Sequence, residues 1–119
     1  MSAFTTSQEI SVLFESLSYR VNKANNSDAV LFISIHHNSA GETAQGIETL
    51  YSDRSQDSAF GGKYDSSRIA TSKRLATSIN NNISNKLNLV NRGVKDQNLY
   101  VCRNVKMPAV LVETGFITN

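Results

Sequence analysis

Apolar positions recur along this chain at two distinct periods. Between Ser11 and Asn26, Leu13, Leu17, Val21 and Ala24 return every three or four residues, with Glu15, Arg20 and Lys23 on other faces. That spacing predicts an amphipathic helix, fraying at Asn25-Asn26-Ser27-Asp28. Ala29 to Ile35 then runs almost continuously apolar, Ala-Val-Leu-Phe-Ile-Ser-Ile. Its length and branched residues predict a strand buried on both faces, as in a parallel sheet. The run breaks abruptly into His36-His37-Asn38-Ser39-Ala40-Gly41. Gly46 to Tyr51 reads as a second strand, and Ser52 to Tyr64 as a loop rich in Ser, Asp and Gly. From Asp65 to Leu87, Ile69, Ala76, Ile79, Ile83 and Leu87 mark one face of a long helix, and the stripe continues through the poor helix formers Asn80-Asn81-Asn82. Asn91-Arg92-Gly93 reads as a helix stop with turn chemistry. Gln97–Cys102 and Ala109–Glu113 read as two more short strands, with Pro108 where a strand begins. The order helix, strand, strand, helix, strand, strand predicts an α/β sheet with helices on its faces.

Composition narrows the function classes. A chain of 119 residues suits one domain, and no repeat, low-complexity tract or linker interrupts it. Hydrophobic residues make up 39 % and charged ones only 18 %, the difference being filled by Ser, Thr and Asn. A net charge of +2, with Lys and Arg scattered among acids, argues against nucleic acid as a partner, because a phosphate backbone calls for a clustered basic stripe. The single cysteine, Cys102, excludes an intramolecular disulfide. No apolar run approaches the ~18–20 residues of a membrane span. Met1-Ser2-Ala3-Phe4-Thr5-Thr6 lacks the basic and apolar regions of a signal peptide.

Two polar positions stand out. His36 ends the most apolar strand, and Glu113 ends the last one, before Thr114-Gly115-Phe116. In open α/β sheets ligands bind outside the carboxyl ends of the parallel strands. If these strands are parallel neighbours, His36 and Glu113 share a crevice in which an imidazole holds a metal and a carboxylate takes a proton from water. The bland alternative is a hydrogen-bonded structural histidine and a solvated carboxylate. Other residues carry two readings as well. Cys102 is a nucleophile or a buried thiol, and its place away from a helix N-terminus favours the thiol. Arg92, Lys95 and Arg103 meet acidic groups of a substrate or form a solvated rim. Tyr51, Tyr64 and Tyr100 stack on sugars or fill the core. Asn38 donates to a substrate carbonyl or caps its loop.

The local words are more specific. Phe-Ile-Ser-Ile-His-His-Asn-Ser-Ala (32–40), Gly-Ile-Glu-Thr-Leu-Tyr (46–51), Asn-Arg-Gly-Val-Lys (91–95), Asn-Leu-Tyr-Val (98–101) and Met-Pro-Ala-Val-Leu-Val-Glu-Thr-Gly-Phe-Ile-Thr-Asn (107–119) resemble, in order and spacing, the zinc-dependent N-acetylmuramoyl-L-alanine amidases. Leu-Ser-Tyr-Arg-Val-Asn-Lys-Ala-Asn (17–25) resembles the helix preceding that family's Ser-Ile-His strand. The resemblance implies a twisted, mostly parallel sheet with helices on both faces. It implies Zn2+ as cofactor, with His36 matching the second histidine ligand, and Glu113 matching the glutamate that polarises the zinc-bound water. It implies peptidoglycan (muropeptide) as substrate, cut at the amide between N-acetylmuramic acid and L-alanine, and an extracellular or cell-wall location.

The chain also departs from that pattern. The family's first histidine ligand, in a Gly-His-Gly word, and its glutamate ligand belong upstream of the helix at Leu17. The residues before Leu17 contain no histidine, and Glu9 and Glu15 sit too near the helix to match. The expectation is therefore one partial amidase catalytic domain over residues 1–119, weak or inactive alone. The alternatives are a non-catalytic remnant or wall-binding piece, and another zinc hydrolase such as a carboxypeptidase. His37, following His36 in an extended segment, should point to the opposite side. Glu48 either lines the cleft, orients a ligand or faces solvent.

Overall fold

A computed structural model describes residues 13–38 and 46–115. Its elements are helix α1 (Leu13–Asn25), strands β1 (Phe32–Asn38) and β2 (Gly46–Tyr51), a 3-10 turn (Ser58–Phe60), helix α2 (Ser66–Leu87), strand β3 (Asn91–Asp96), helix α3 (Tyr100–Asn104) and strand β4 (Ala109–Gly115). The predicted start of the first helix at Ser11, the loop from Ser39, Glu9 and the terminal Phe-Ile-Thr-Asn word lie outside the described residues.

The four strands form one mixed sheet in the order β1-β4-β2-β3. β1 runs parallel to β4 and β2 parallel to β3, while β2 and β4 are antiparallel. Helices cover both faces. On one face α2 lays Ile69 and Ala76 against Ile47, Tyr51, Val110 and Val112, with Leu75, Ile79 and Ile83 packed at the margin. On the other, Val21 of α1 meets Cys102 and Val105 of the α3 region together with Met107 and Ala109, flanked by Phe32 and Leu111. β4 is apolar without interruption because alternate residues serve opposite cores, Val110 and Val112 one and Ala109 and Leu111 the other.

Asp65 starts α2 by accepting a hydrogen bond from the Arg68 backbone N–H at 3.0 Å. Asn88, in the left-handed conformation, ends it. The helix runs through the asparagine triplet because Asn80 is spent on tertiary bonds. Its amide donates to the Ile47 carbonyl at 3.3 Å and to Asn91 Oδ1 at 2.6 Å, and its Oδ1 accepts from the Thr49 hydroxyl at 2.8 Å. Gly46 opens β2 where the chain passes so close to the Val90 carbonyl that a Cβ would overlap it.

Two expectations need correction. Gln97–Cys102 is not a strand: Tyr100–Asn104 is a short helix, and the strand is Asn91–Asp96, placed on the residues expected to turn. β3 is an edge strand with mostly exposed residues, so it carries no apolar run. The apolar residues after it fill the second core as one helical turn, since a short apolar run does not by itself separate helix from strand.

A polar cluster fixes α3 to the loop after β2. The Arg103 guanidinium donates to both carboxylate oxygens of Asp57 at 3.0 Å, and Asn104 Nδ2 donates to Asp57 Oδ2 at 3.0 Å. The buried Asn104 also accepts from the Asp57 backbone N–H at 2.7 Å. The Arg103 bond, then the Asn104 bond, holds the Asp57 carboxyl below its ordinary value of 3.8. A carboxyl depressed in the folded state stabilises the fold above its unfolded pKa and loses that contribution as pH falls through the folded value. Urea denaturation should therefore show stability falling below about pH 4, with a shallower decline for Asp57→Asn. Equal slopes for the two proteins would refute this assignment.

Candidate active site at the sheet rim

The parallel register of β1 and β4 makes His36 and Glu113 direct partners. The antiparallel register of β2 and β4 makes Glu48 and Glu113 direct partners as well. Cross-strand partners share a face, so His36, Glu113 and Glu48 form a row across three adjacent strands, with neighbouring strands about 4.8 Å apart. By alternation along β4 and β1, the row lies on the face of Ala109, Leu111 and Phe32, the side of α1 and α3. His36 is exposed, whereas Glu113 and Glu48 are half-buried.

The row sits where the apolar strands run out. In β1 and β4 core residues precede the polar position on the same face, Phe32 before His36 and Ala109 and Leu111 before Glu113, whereas antiparallel β2 brings Glu48 in near its start. His37 follows His36 in β1 and so belongs to the opposite face, paired with Thr114. The Thr114 hydroxyl lies 3.5 Å from the His36 carbonyl oxygen, an additional tie between the two strand ends. Asn38 closes β1, and its side chain lies outside what the structure describes.

The second carboxylate of the row, Glu48, is not free. Lys95, from β3, makes an ion pair with Glu48 Oε2 and donates a second bond to the Arg92 carbonyl at 3.3 Å. The sequence offered Lys95 only as one of three candidate rim cations. Its partner was unreadable, because β3 falls on residues that look like a turn. The sole available signal was the alternation in Gly-Ile-Glu-Thr-Leu-Tyr, which sets Glu48 on the face opposite Ile47, Thr49 and Tyr51.

The remaining candidates separate cleanly. Arg103 is committed to Asp57 and lies 5.3 Å over the Tyr100 ring, so it is a structural tie. Tyr100 packs edge-on against Phe60 at 6.1 Å, Tyr51 is buried in the core, and Tyr64 is exposed. Cys102 is 2 % exposed, and burial pushes its thiol up to about 12. It lies in the short α3 helix and not in a strand, so burial, and not distance from a helix end, makes it inert.

A catalytic zinc keeps three protein ligands and an open position. Among the described residues no group of three or more His, Cys, Asp or Glu is disposed to hold a metal ion. One imidazole with Glu113 beside it does not make a zinc site. No helix among the described residues is long and apolar enough to cross a membrane.

The family model described as N-acetylmuramoyl-L-alanine amidase matches residues 3–119. The chain is 43 % identical over 107 residues to the N-acetylmuramoyl-L-alanine amidase LytC of Bacillus subtilis, a match covering 89 % of this chain and 19 % of LytC. It is 37 % identical to the endolysin of Bacillus phage SPP1, over 90 % of this chain and 36 % of that protein. Among solved structures, an N-acetylmuramoyl-L-alanine amidase from Clostridium difficile 630 superposes with a TM-score of 0.60 at 33 % identity, covering 81 % of this chain and 46 % of that one. The CwlD amidase of Clostridioides difficile, solved with the GerS lipoprotein, superposes with a TM-score of 0.69 at 26 % identity, over 100 % of this chain and 56 % of that one. The chain thus spans about half the length of these solved relatives, and less of LytC and the endolysin.

Proposed function

We propose, because this chain belongs to the N-acetylmuramoyl-L-alanine amidase family, that it forms part of a zinc-dependent catalytic domain hydrolysing the amide between N-acetylmuramic acid and L-alanine in peptidoglycan. The observation that carries this reading is the in-register pairing of His36 with Glu113 at the carboxyl ends of two parallel strands. His36 is one zinc ligand, and the other ligands come from outside the described residues. The site of action is the cell wall, in keeping with relatives such as the probable cell wall amidase LytH of Staphylococcus epidermidis.

The roles follow from position and chemistry. Hydrolysis needs a base for the attacking water and an acid for the departing nitrogen, and one carboxylate serves both in turn. Glu113 accepts the water proton as oxygen adds to the lactyl carbonyl. It then returns that proton to the L-alanine nitrogen as the C–N bond breaks. The rigid β4 strand holds the carboxylate for both transfers, and half-burial limits competing water. The His36 imidazole is held by β1 at the adjacent register position, so the strand ladder fixes the separation between ligand and base.

The test is digestion of purified muropeptides by this chain and by a form extended upstream, each with and without added zinc. Release of intact stem peptide with a free L-alanine amine is the expected product, from the extended form with zinc. Cleavage elsewhere in the peptide would favour a carboxypeptidase instead. The chain holds only two histidines, His36 and His37, on adjacent strand positions. Isothermal titration should accordingly show weak zinc binding by this chain alone, and submicromolar affinity would overturn the assignment of the remaining ligands to other residues.

A further inference from the structure

We propose that the solvent face of α2 is a docking surface for a linear polyol phosphate, a chain of phosphodiesters carrying no bases. The net charge of +2 conceals an uneven distribution. From Ser66 to Lys95 the chain holds half of its twelve Lys and Arg and none of its ten Asp and Glu. Arg68 is buried and donates to the Cys102 and Arg54 carbonyls, and Lys95 is paired with Glu48. Lys73, Arg74 and Lys86 remain on the exposed side of α2, and among the described residues none of them pairs with an acid. Arg74 instead donates to the Thr71 hydroxyl, one turn earlier, at 3.1 Å. The acid nearest to them in sequence before the helix, Asp65, is spent on capping its N-terminus.

The chemistry of this face suits phosphates better than bases or lipid. Lys73 and Arg74 border an open depression that Ala70, Thr77 and Ser78 complete. These positions share one side because residues three and four apart are neighbours on a helix. Ala70 and Thr77 are small enough for a phosphate to approach both cations. The exposed surface continues through Asn81, Asn82 and Asn85 to Lys86, a further cation about 18 Å along the axis from Arg74 at the helical rise. Its amides and hydroxyls can bond a polyol between the charges. α2 carries no aromatic ring on which a base could stack. Its exposed large apolar residue is Leu87, at the last position, so it lacks the outward apolar stripe that seats a helix in a bilayer. A surface of one sign with spaced cations matches a flexible polyanion.

The test is fluorescence anisotropy of a labelled glycerol phosphate oligomer, titrated with the 119-residue chain at low salt. Saturable binding that weakens as salt rises is expected, because neutralising phosphates releases counterions. The double variant Lys73→Gln with Arg74→Gln should bind about tenfold or more weakly, the loss expected when two cations leave an anionic surface. Both side chains are exposed, so α2 keeps its core contacts. The control Lys23→Gln with Lys106→Gln removes the same charge from the α1 and α3 side of the sheet, and should bind like the unmodified chain. Absence of binding at low salt would overturn the proposal. So would an equal loss in the control, which would make bulk charge the cause. Equal or tighter binding of duplex DNA with the same number of phosphates, or of phosphatidylglycerol vesicles, would also overturn it, since the occupant would then be a nucleic acid or a membrane. Circular dichroism of each variant verifies folding. Muropeptide cleavage is not read in this test, so the docking surface stands or falls apart from the proposed hydrolysis.

Discussion

Replacing Glu113 with Gln lowers the muropeptide cleavage rate by about 10²–10⁴-fold, the range that general acid–base catalysis contributes. The substitution preserves size and hydrogen-bonding capacity but removes the ability to accept a proton. Glu113 sits at the end of β4, beyond the residues that pack the two cores, so the fold should tolerate the change. The measurement is release of L-alanine amine by the form that cleaves muropeptides, alongside a zinc titration of the same protein. Metal affinity should change little, because the ligand assigned to this chain is His36. A Gln variant that keeps its rate within a few-fold would remove Glu113 from the chemistry.

The second large effect is on stability. Asn80→Ala should cost about 3 kcal/mol, because it strands buried polar partners as well as losing its own bonds. Asn80 is 1 % exposed and joins α2 to β2 through Thr49 and the Ile47 carbonyl, and to β3 through Asn91. Asn91 in turn accepts from the Gly93 backbone N–H at 2.9 Å and donates to Asn81 at 2.9 Å, so the damage reaches the start of the edge strand. For a domain of this size the loss corresponds to a fall in Tm of roughly 10–20 °C, read by circular dichroism. Adding Thr49→Val should recover part of it by removing the orphaned hydroxyl. A loss below about 1 kcal/mol would mean that water replaces the network.

Ile33 and Ile35 share a face with Val110 and Val112, yet are 45 % and 75 % exposed, because α2 covers the middle of the sheet and not β1. Solved relatives of about twice this length match the chain over most of its residues.

The elements themselves were largely legible in the sequence. The stripe from Ile69 to Leu87 specified α2 and the apolar word before Glu113 specified β4, because those patterns record which faces meet a core; the run before His36 specified β1 as a strand, but not the two buried faces expected of it, since Ile33 and Ile35 are exposed. Those local signals also placed His36 and Glu113 at strand ends. Tertiary structure alone decided the rest. Strand order and the antiparallel β2–β4 pairing depend on contacts between residues far apart in sequence, to which local periodicity is blind. β3 had no apolar signature to reveal it, since it is an edge strand whose first residue is held by Asn80 and Asn81. The same blindness hid the Glu48–Lys95 pair. Two charges forty-seven residues apart become neighbours only once two strands lie side by side, and the energy of their meeting belongs to the fold and to neither segment alone.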